Sequence, residues 1–174
     1  MKNFILISLI LLSSLVVVGQ DEKVIIGKVC YSEEINDQII NSEFEPYTYH
    51  NRIEFKFKSG YQITVKEETK KTLIEILKQY ESFHKKSNAE NNESPQLIDN
   101  FSPETISKGE KVIDTNKQIK IYYCRKLKEI PNSIGNLIIK IPELKDMFGS
   151  ATAPEQYIFI TGDCLNDLIS CLEK

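Results

Sequence analysis

The sharpest pattern along the chain is the strict alternation from Arg52 to Lys58. Ile53, Phe55 and Phe57 are separated by Arg52, Glu54, Lys56 and Lys58. A period of two puts the apolar set on one face of a half-buried strand and the charges on the other. Ser59-Gly60 interrupts the pattern, and Tyr61, Ile63 and Val65 resume it. A two-residue turn in which Gly60 takes positive φ closes this into a hairpin. The period then lengthens. Leu73, Ile76, Leu77, Tyr80 and Phe83 recur at helical spacing, with Ile74 widening the stripe, and predict an amphipathic helix from about Glu67 to Ser87. Glu67 and Glu68 suit the positive end of its dipole, and Lys85 and Lys86 the negative end. Glu67–Lys71 and Glu81–Lys85 are favourable i,i+4 pairs.

The remaining elements are fainter. Val24 to Tyr31 is rich in β-branched residues and predicts a strand. Ser32 to Asn41 is polar and interrupted, and is assigned to a connection. Phe44 to His50 is either a short strand or a covering loop. Asn88 to Pro95 lacks periodicity and predicts a loop. Ser102-Pro103-Glu104 has the cap and first-turn proline of a single helical turn. Glu110 to Asp114 and Lys117 to Arg125 predict a second hairpin around Thr115-Asn116. Leu137 to Ile141 is a short apolar run of either type, and Pro142 to Phe148 predicts a short helix. Gln156 to Thr161 is apolar on both faces and predicts a central strand. An amphipathic helix from about Asp163 to Glu173 closes the chain. These elements sum to an α+β fold: a largely antiparallel sheet with two amphipathic helices packed on one face.

An offset of 95 residues superposes parts of the chain on itself. Ile63-Thr64-Val65 falls on Ile158-Phe159-Ile160, Leu73-Ile74 on Leu168-Ile169 and Leu77 on Leu172. The same offset pairs Ile26 with Ile121 and Glu34-Ile35 with Glu129-Ile130. Two related strand–strand–helix halves would produce these matches; so would chance in a chain rich in Ile and Leu. A shared supersecondary unit decides between them.

The N-terminus changes the setting. Lys2 precedes an apolar run from Phe4 to Val18, and Gln20-Asp21-Glu22-Lys23 is abruptly polar. This is the pattern of a secretory signal peptide, with cleavage expected after Gly19. The run is shorter than the roughly 20 residues a membrane-spanning helix needs, so no stable membrane insertion is expected after cleavage. The expected working protein is one exported domain from Gln20 to Lys174, periplasmic or secreted. The net charge of −3 is of mixed sign with no basic stripe, which disfavours a nucleic-acid partner.

Export gives the cysteines meaning. Cys30, Cys124, Cys164 and Cys171 form no C-x-x-C pair, and in an oxidising space they are disulfide candidates. Cys164 and Cys171, seven apart on one helix, lie about 10 Å from each other. A disulfide needs Cα atoms within about 7 Å. Each helix cysteine is therefore expected to reach a different strand cysteine, with the pairing open. The chemical alternative is a small cysteine-dependent hydrolase or transferase centred on Cys164, at a helix N-terminus where thiolate is favoured.

Little else carries chemistry. His50 and His84 belong to no metal-binding pattern, so no metal and no cofactor is expected. His84 is assigned to the cation-favouring end of its helix. Tyr47, Tyr49 and His50 lie in the densest aromatic segment and are the candidate ligand-binding residues. The adjacent pairs Glu33-Glu34 and Glu67-Glu68 are expected to face water, and no catalytic residue is nominated. The functional expectation is an exported non-catalytic protein that binds a partner protein or a small-molecule ligand, inhibitor-like in size and charge. A structural component of an envelope assembly is the other non-enzymatic alternative.

Overall fold

The structure, a computed structural model, describes residues 22–109, 111–114, 117–128, 134–145 and 152–174. The expected leader and its expected cleavage site lie outside the described residues. The first half of the chain contains β1 (Val24–Ile25), β2 (Val29–Ile35), β3 (Gln38–Phe44), β4 (Tyr47–Tyr49), β5 (Arg52–Lys56), β6 (Tyr61–Lys66), α1 (Glu67–Lys78) and α2 (Tyr80–Glu90). The second contains β7 (Gln96–Phe101), β8 (Thr105–Lys108), β9 (Lys111–Asp114), β10 (Ile119–Lys126), β11 (Ile134–Ile141), β12 (Leu144–Lys145), β13 (Thr152–Ala153), β14 (Gln156–Thr161) and α3 (Gly162–Leu172). The fold is mixed α+β and its strand pairings are antiparallel.

The expected sheet is in fact two six-stranded sheets, ordered β1-β4-β5-β6-β8-β9 and β7-β10-β11-β14-β2-β3, with β12-β13 as a separate ribbon. The two orders correspond strand for strand. Each half supplies an edge strand (β1 or β7), a hairpin (β2-β3 or β8-β9), a three-stranded meander (β4-β5-β6 or β10-β11-β14) and a helix directly after it. The hairpins are exchanged: β2 pairs with β14, and β8 pairs with β6. Each meander ends in a strand whose free edge is covered by the other half's hairpin. Neither half completes its sheet alone, which ties the chain into one folding unit.

The shared unit is therefore present, and it refines the sequence offset. The offset of 95 holds at β6–α1 and β14–α3, where Lys66 and Thr161 cap their helices with the same extended backbone (φ −73°, ψ 150° and φ −71°, ψ 161°). Lys78 and Glu173, which the same offset makes equivalent, form a 2.6 Å ion pair between α1 and the end of α3. The match of Ile26 with Ile121 is coincidental. Ile26 lies between β1 and β2, whereas Ile121 is in β10, whose counterpart is β4. Glu129-Ile130 lies outside the described residues.

The core lies where the sheets and helices converge. Tyr31, Phe44, Phe55 and Phe57 meet edge to face across the two sheets, with ring centroids 5.3–5.7 Å apart. Leu73, Ile76 and Leu77 of α1 and Leu165, Leu168 and Leu172 of α3 are buried in the same cluster. This confirms the apolar stripes of both helices. The alternating hairpin is confirmed as well: Ile53, Phe55, Phe57, Tyr61, Ile63 and Val65 are buried, and Gly60 turns the chain at φ 86°. Gln156–Thr161 is central, with Ile158 and Ile160 in the main core and Phe159 in a smaller cluster with Cys124, Leu127 and Ile138.

Other expectations are corrected. The long helix is divided at Gln79: α1 packs against α3, β6 and β7, while α2 turns to lie on β7 and β10. Its first-turn ion pair is Glu67–Lys70 at 2.5 Å, one residue short of the i,i+4 spacing expected for Glu67–Lys71. Ser32 to Asn41 is no connection but most of the β2-β3 hairpin, turned by Asn36 (φ 53°) and Asp37 (φ 61°), residues that tolerate this region. Val24 to Tyr31 is broken, β1 and β2 belonging to different sheets. Between them the Cys171 sulfur occupies the space a Cβ on Gly27 would need. Ser102-Pro103-Glu104 links β7 to β8 without a helical turn. The predicted hairpin around Thr115-Asn116 does not form, since β9 pairs with β8 while β10 pairs with β7 and β11 in the other sheet. Leu144–Lys145 is a strand paired with β13, not the start of a helix.

Candidate ligand-binding site

Cys164 and Cys30 are joined in a disulfide, with Cα atoms 5.5 Å apart. It fastens the exchanged hairpin of the first half to the N-terminus of α3 in the second. The expected second bridge does not form. Cys171 is buried against Gly27, and burial pushes its thiol pKa up. Cys124 lies in the smaller cluster, where its S–H group faces the carbonyls of Lys126 (3.0 Å) and Glu93 (3.3 Å). The reading of Cys164 as a resting nucleophile fails on the same bond, because a sulfur in a disulfide carries no thiolate.

The aromatic segment is split. Tyr47 is buried on the outer face of the first sheet, where its hydroxyl donates to Glu54, which also accepts Gln62 Nε2 at 2.7 Å. Lys23 Nζ sits 4.6 Å from its ring centroid and Lys56 Nζ 5.6 Å. Burial first, and then Glu54, push its phenol far above the usual range. Tyr49 and His50 instead line a shallow groove of about 380 Å³ with Glu22, Thr48, Asn51, Arg52 and Glu67. Arg52 there is already engaged by Glu104 at 2.6 Å.

His84 is held by a cluster that sequence reasoning did not assemble. Its Nδ1 is 3.0 Å from Tyr123 Oη, its Nε2 is 3.0 Å from Asn88 Nδ2, and its ring stacks on Tyr80. Both ring nitrogens are occupied, so hydrogen bonding rather than the helix dipole orients it. Burial chiefly, with Tyr123 and Asp163 adding, raises the Tyr80 phenol to about 12. Burial raises Tyr61 to about 12 as well. A raised phenol pKa means the fold retains the proton that the unfolded chain releases near pH 10. Stability should stay level up to about pH 10 and fall between about pH 10 and 12. Phenolate absorbance titration should show at least Tyr61 and Tyr80 ionising only at the top of that window; complete ionisation near pH 10 in the folded protein would contradict the packing described.

The most developed polar site lies where the halves meet. Asn36-Asp37 turns β2 into β3, and the equivalent turn after β8 begins at Lys108. Ser59 turns β5 into β6, and Pro154-Glu155 closes the equivalent connection before β14. Together with Glu34, Ile35, Gln156 and Tyr157 these residues line a cleft of about 350 Å³. Gln156 Nε2 donates to the Glu34 carbonyl at 2.8 Å, and the Tyr61 hydroxyl donates to the Pro154 carbonyl. Both bonds fix the walls. Lys108 Nζ rests 4.7 Å from the Tyr61 ring centroid. Glu155 is paired with Lys140 at 2.8 Å, which with Tyr157 holds its carboxyl below the usual range.

Glu33, 0% exposed and not part of the cleft lining, is bonded to the backbone of one of its wall residues, Ser59. One carboxylate oxygen accepts the Ser59 N–H at 3.0 Å and the Tyr31 hydroxyl at 3.1 Å. The other, Oε2, has no partner, and neither does Ser59 Oγ in the cleft wall. The expectation that Glu33 and Glu34 both face water is corrected: Glu34 is exposed and Glu33 is buried. The signal was present, since Glu33 follows Val29 and Tyr31 at a period of two and continues their inward register. Among the described residues no cluster of His, Cys, Asp and Glu is arranged to hold a metal ion. The core also encloses a cavity of about 30 Å³ lined by Phe44, Phe55, Leu77 and Leu168 among other apolar residues, room for about one water with nothing to bond it.

No protein-family model, curated protein or solved structure matches the chain.

Proposed function

We propose that this chain is an exported, non-catalytic binding protein that takes its ligand or partner in the cleft between the Asn36-Asp37, Ser59 and Lys108 turns. The observation that carries the reading is a concave polar cleft built from both halves, with the partnerless Ser59 Oγ in a residue of its wall. Buried polar atoms in folded proteins are nearly always bonded, and an exception points to a group that completes them. Construction from four connections, two per half, makes the cleft a product of the assembled fold. Export draws its support from the N-terminal leader pattern and from compatibility of the Cys30–Cys164 disulfide with an oxidising space.

Amide chemical-shift mapping of the isotope-labelled full domain against small cationic, neutral and anionic probes tests the site. Saturable shifts should concentrate at Asn36, Asp37, Ser59, Lys108 and Gln156. Shifts confined to Tyr49, His50 and Asn51 would move the site to the other groove, and no saturable shift at either would remove the small-ligand reading.

A further inference from the structure

We propose that the free edge of β3 is a docking site for an extended strand of a partner protein, one with basic residues at both ends. It is a second surface, beyond the cleft, and stands whether or not the cleft binds a ligand. The two six-stranded sheets end in β1 and β9, and in β7 and β3. Proteins protect such edges by shortening, bulging, charging or covering them. β1 has two residues and β9 four. β7 is packed by α1 and α2, and its register against β10 is irregular. β3 has none of these devices. It runs for seven residues in unbroken register with β2, without Pro or Lys, and its charged residue, Glu43, is paired with Lys28 at 2.5 Å.

The turn decides which backbone groups are open. Asn36 and Asp37, both left-handed, form a two-residue turn that makes Ile35 and Gln38 a hydrogen-bonded pair. Pairing alternates from there. Gln38, Ile40, Ser42 and Phe44 therefore bond β2, while the N–H and C=O groups of Ile39, Asn41 and Glu43 point outward. Among the described residues no strand lies beyond β3 and no other backbone bond reaches these three. A strand laid antiparallel along them exchanges two bonds with each, the way extended peptides add to sheets. Charge selects the partner. Asp37 precedes the edge, Glu45 follows it and Glu34 sits opposite Ile39 on β2; all three carboxylates are exposed. A second copy centred on Asn41, the register that uses the whole edge, would set Asp37 of each copy opposite Glu45 of the other. Like charges directly opposite destabilise a strand pair. A strand with an uncharged centre and Lys or Arg at its ends avoids this and complements both carboxylates.

The probe is a capped Lys-Thr-Val-Thr-Val-Thr-Val-Thr-Lys peptide, whose length sets one lysine against Asp37 and the other against Glu45. A second peptide carries glutamate in place of both lysines. A third is N-methylated at its three valines, which removes the N–H groups that face β3. All three are titrated into the disulfide-intact domain, with hydrogen exchange read at single amides, so the controls leave the fold of the domain untouched. In the free domain Ile39, Asn41 and Glu43 should exchange fast, and Ile40 and Ser42 slowly. At saturation the lysine peptide should slow the first set about tenfold or more. The glutamate peptide should bind severalfold more weakly, and the N-methylated peptide should give no protection. Failure of the lysine peptide to bind, binding without slower exchange at Ile39, Asn41 and Glu43, or equal binding of the N-methylated peptide overturns the docking edge. Equal binding of the glutamate peptide overturns the basic partner. A concentration-dependent dimer that protects the same amides overturns it in favour of a second copy. The Lys108 and Gln156 amides, followed in the same spectra, report on the cleft separately.

Discussion

Replacing Cys30 and Cys164 together with alanine is expected to cost about 3–5 kcal/mol of stability. The bond spans 134 residues, so its loss restores to the unfolded chain nearly all the freedom that one cross-link can withhold. Its position adds to the expectation. Cys30 is in β2, part of the exchanged hairpin, and Cys164 opens α3, so the bridge holds one half's hairpin on the other half's sheet. Urea denaturation of the oxidised protein and the double variant provides the measurement, and reduced wild-type protein should resemble the variant. Cys171→Ala serves as the control, removing a buried sulfur outside the bridge at a cost of about 1 kcal/mol, the order of one small buried group. A double variant no less stable than this control would refute the clamp.

Gly135→Ala is expected to cost about 3 kcal/mol, well above Gly60→Ala at about 1 kcal/mol. Both glycines hold left-handed backbone, φ 74° and φ 86°. They differ in what surrounds them. A Cβ on Gly60 would meet nothing within 4 Å, whereas on Gly135 it would lie 2.8 Å from His84 Nδ1 and closer still to the Tyr80 hydroxyl. Gly162→Ala isolates the steric part, since its Cβ would lie 2.7 Å from the same hydroxyl without positive φ. It should fall between the other two. Thermal melts rank the three, and the His84 ring proton resonances report whether the Tyr80–His84–Tyr123 cluster has moved. They should shift in Gly135→Ala and stay in place in Gly60→Ala. Equal losses at Gly60 and Gly135 would show that backbone conformation alone governs both sites.

The candidate site was legible only in part. The segment of Tyr47 and Tyr49 reads as either a short strand or a covering loop, and the strand is what forms; the lysines and Glu54 that cover Tyr47 come from other elements, and no local pattern announces them. Glu33 was passed over because adjacent carboxylates usually face water. The alternation of Val29, Tyr31 and Glu33 was the competing signal, hidden by a polar hairpin in which Ser32 is also buried. The cleft itself draws on residues from 34 to 157, so its existence depends on which strands pair.

What the amino-acid order determined by itself was the local units: the hairpin from Arg52 to Val65, the stripes of α1 and α3, the central apolar strand before α3 and the repeated strand–helix step 95 residues apart. Each follows from side-chain periodicity and turn chemistry within a few residues, where one choice of face buries the apolar set and the other exposes it. Only the tertiary structure decided the exchange of hairpins between halves, the single bridge from Cys30 to Cys164, the burial of Glu33 and the stacking of His84 on Tyr80. These depend on contacts between distant segments, and many pairings of similar antiparallel strands satisfy the same local pattern. The free energy of closing both sheet edges and the shared core selects among them, and that quantity belongs to the whole chain.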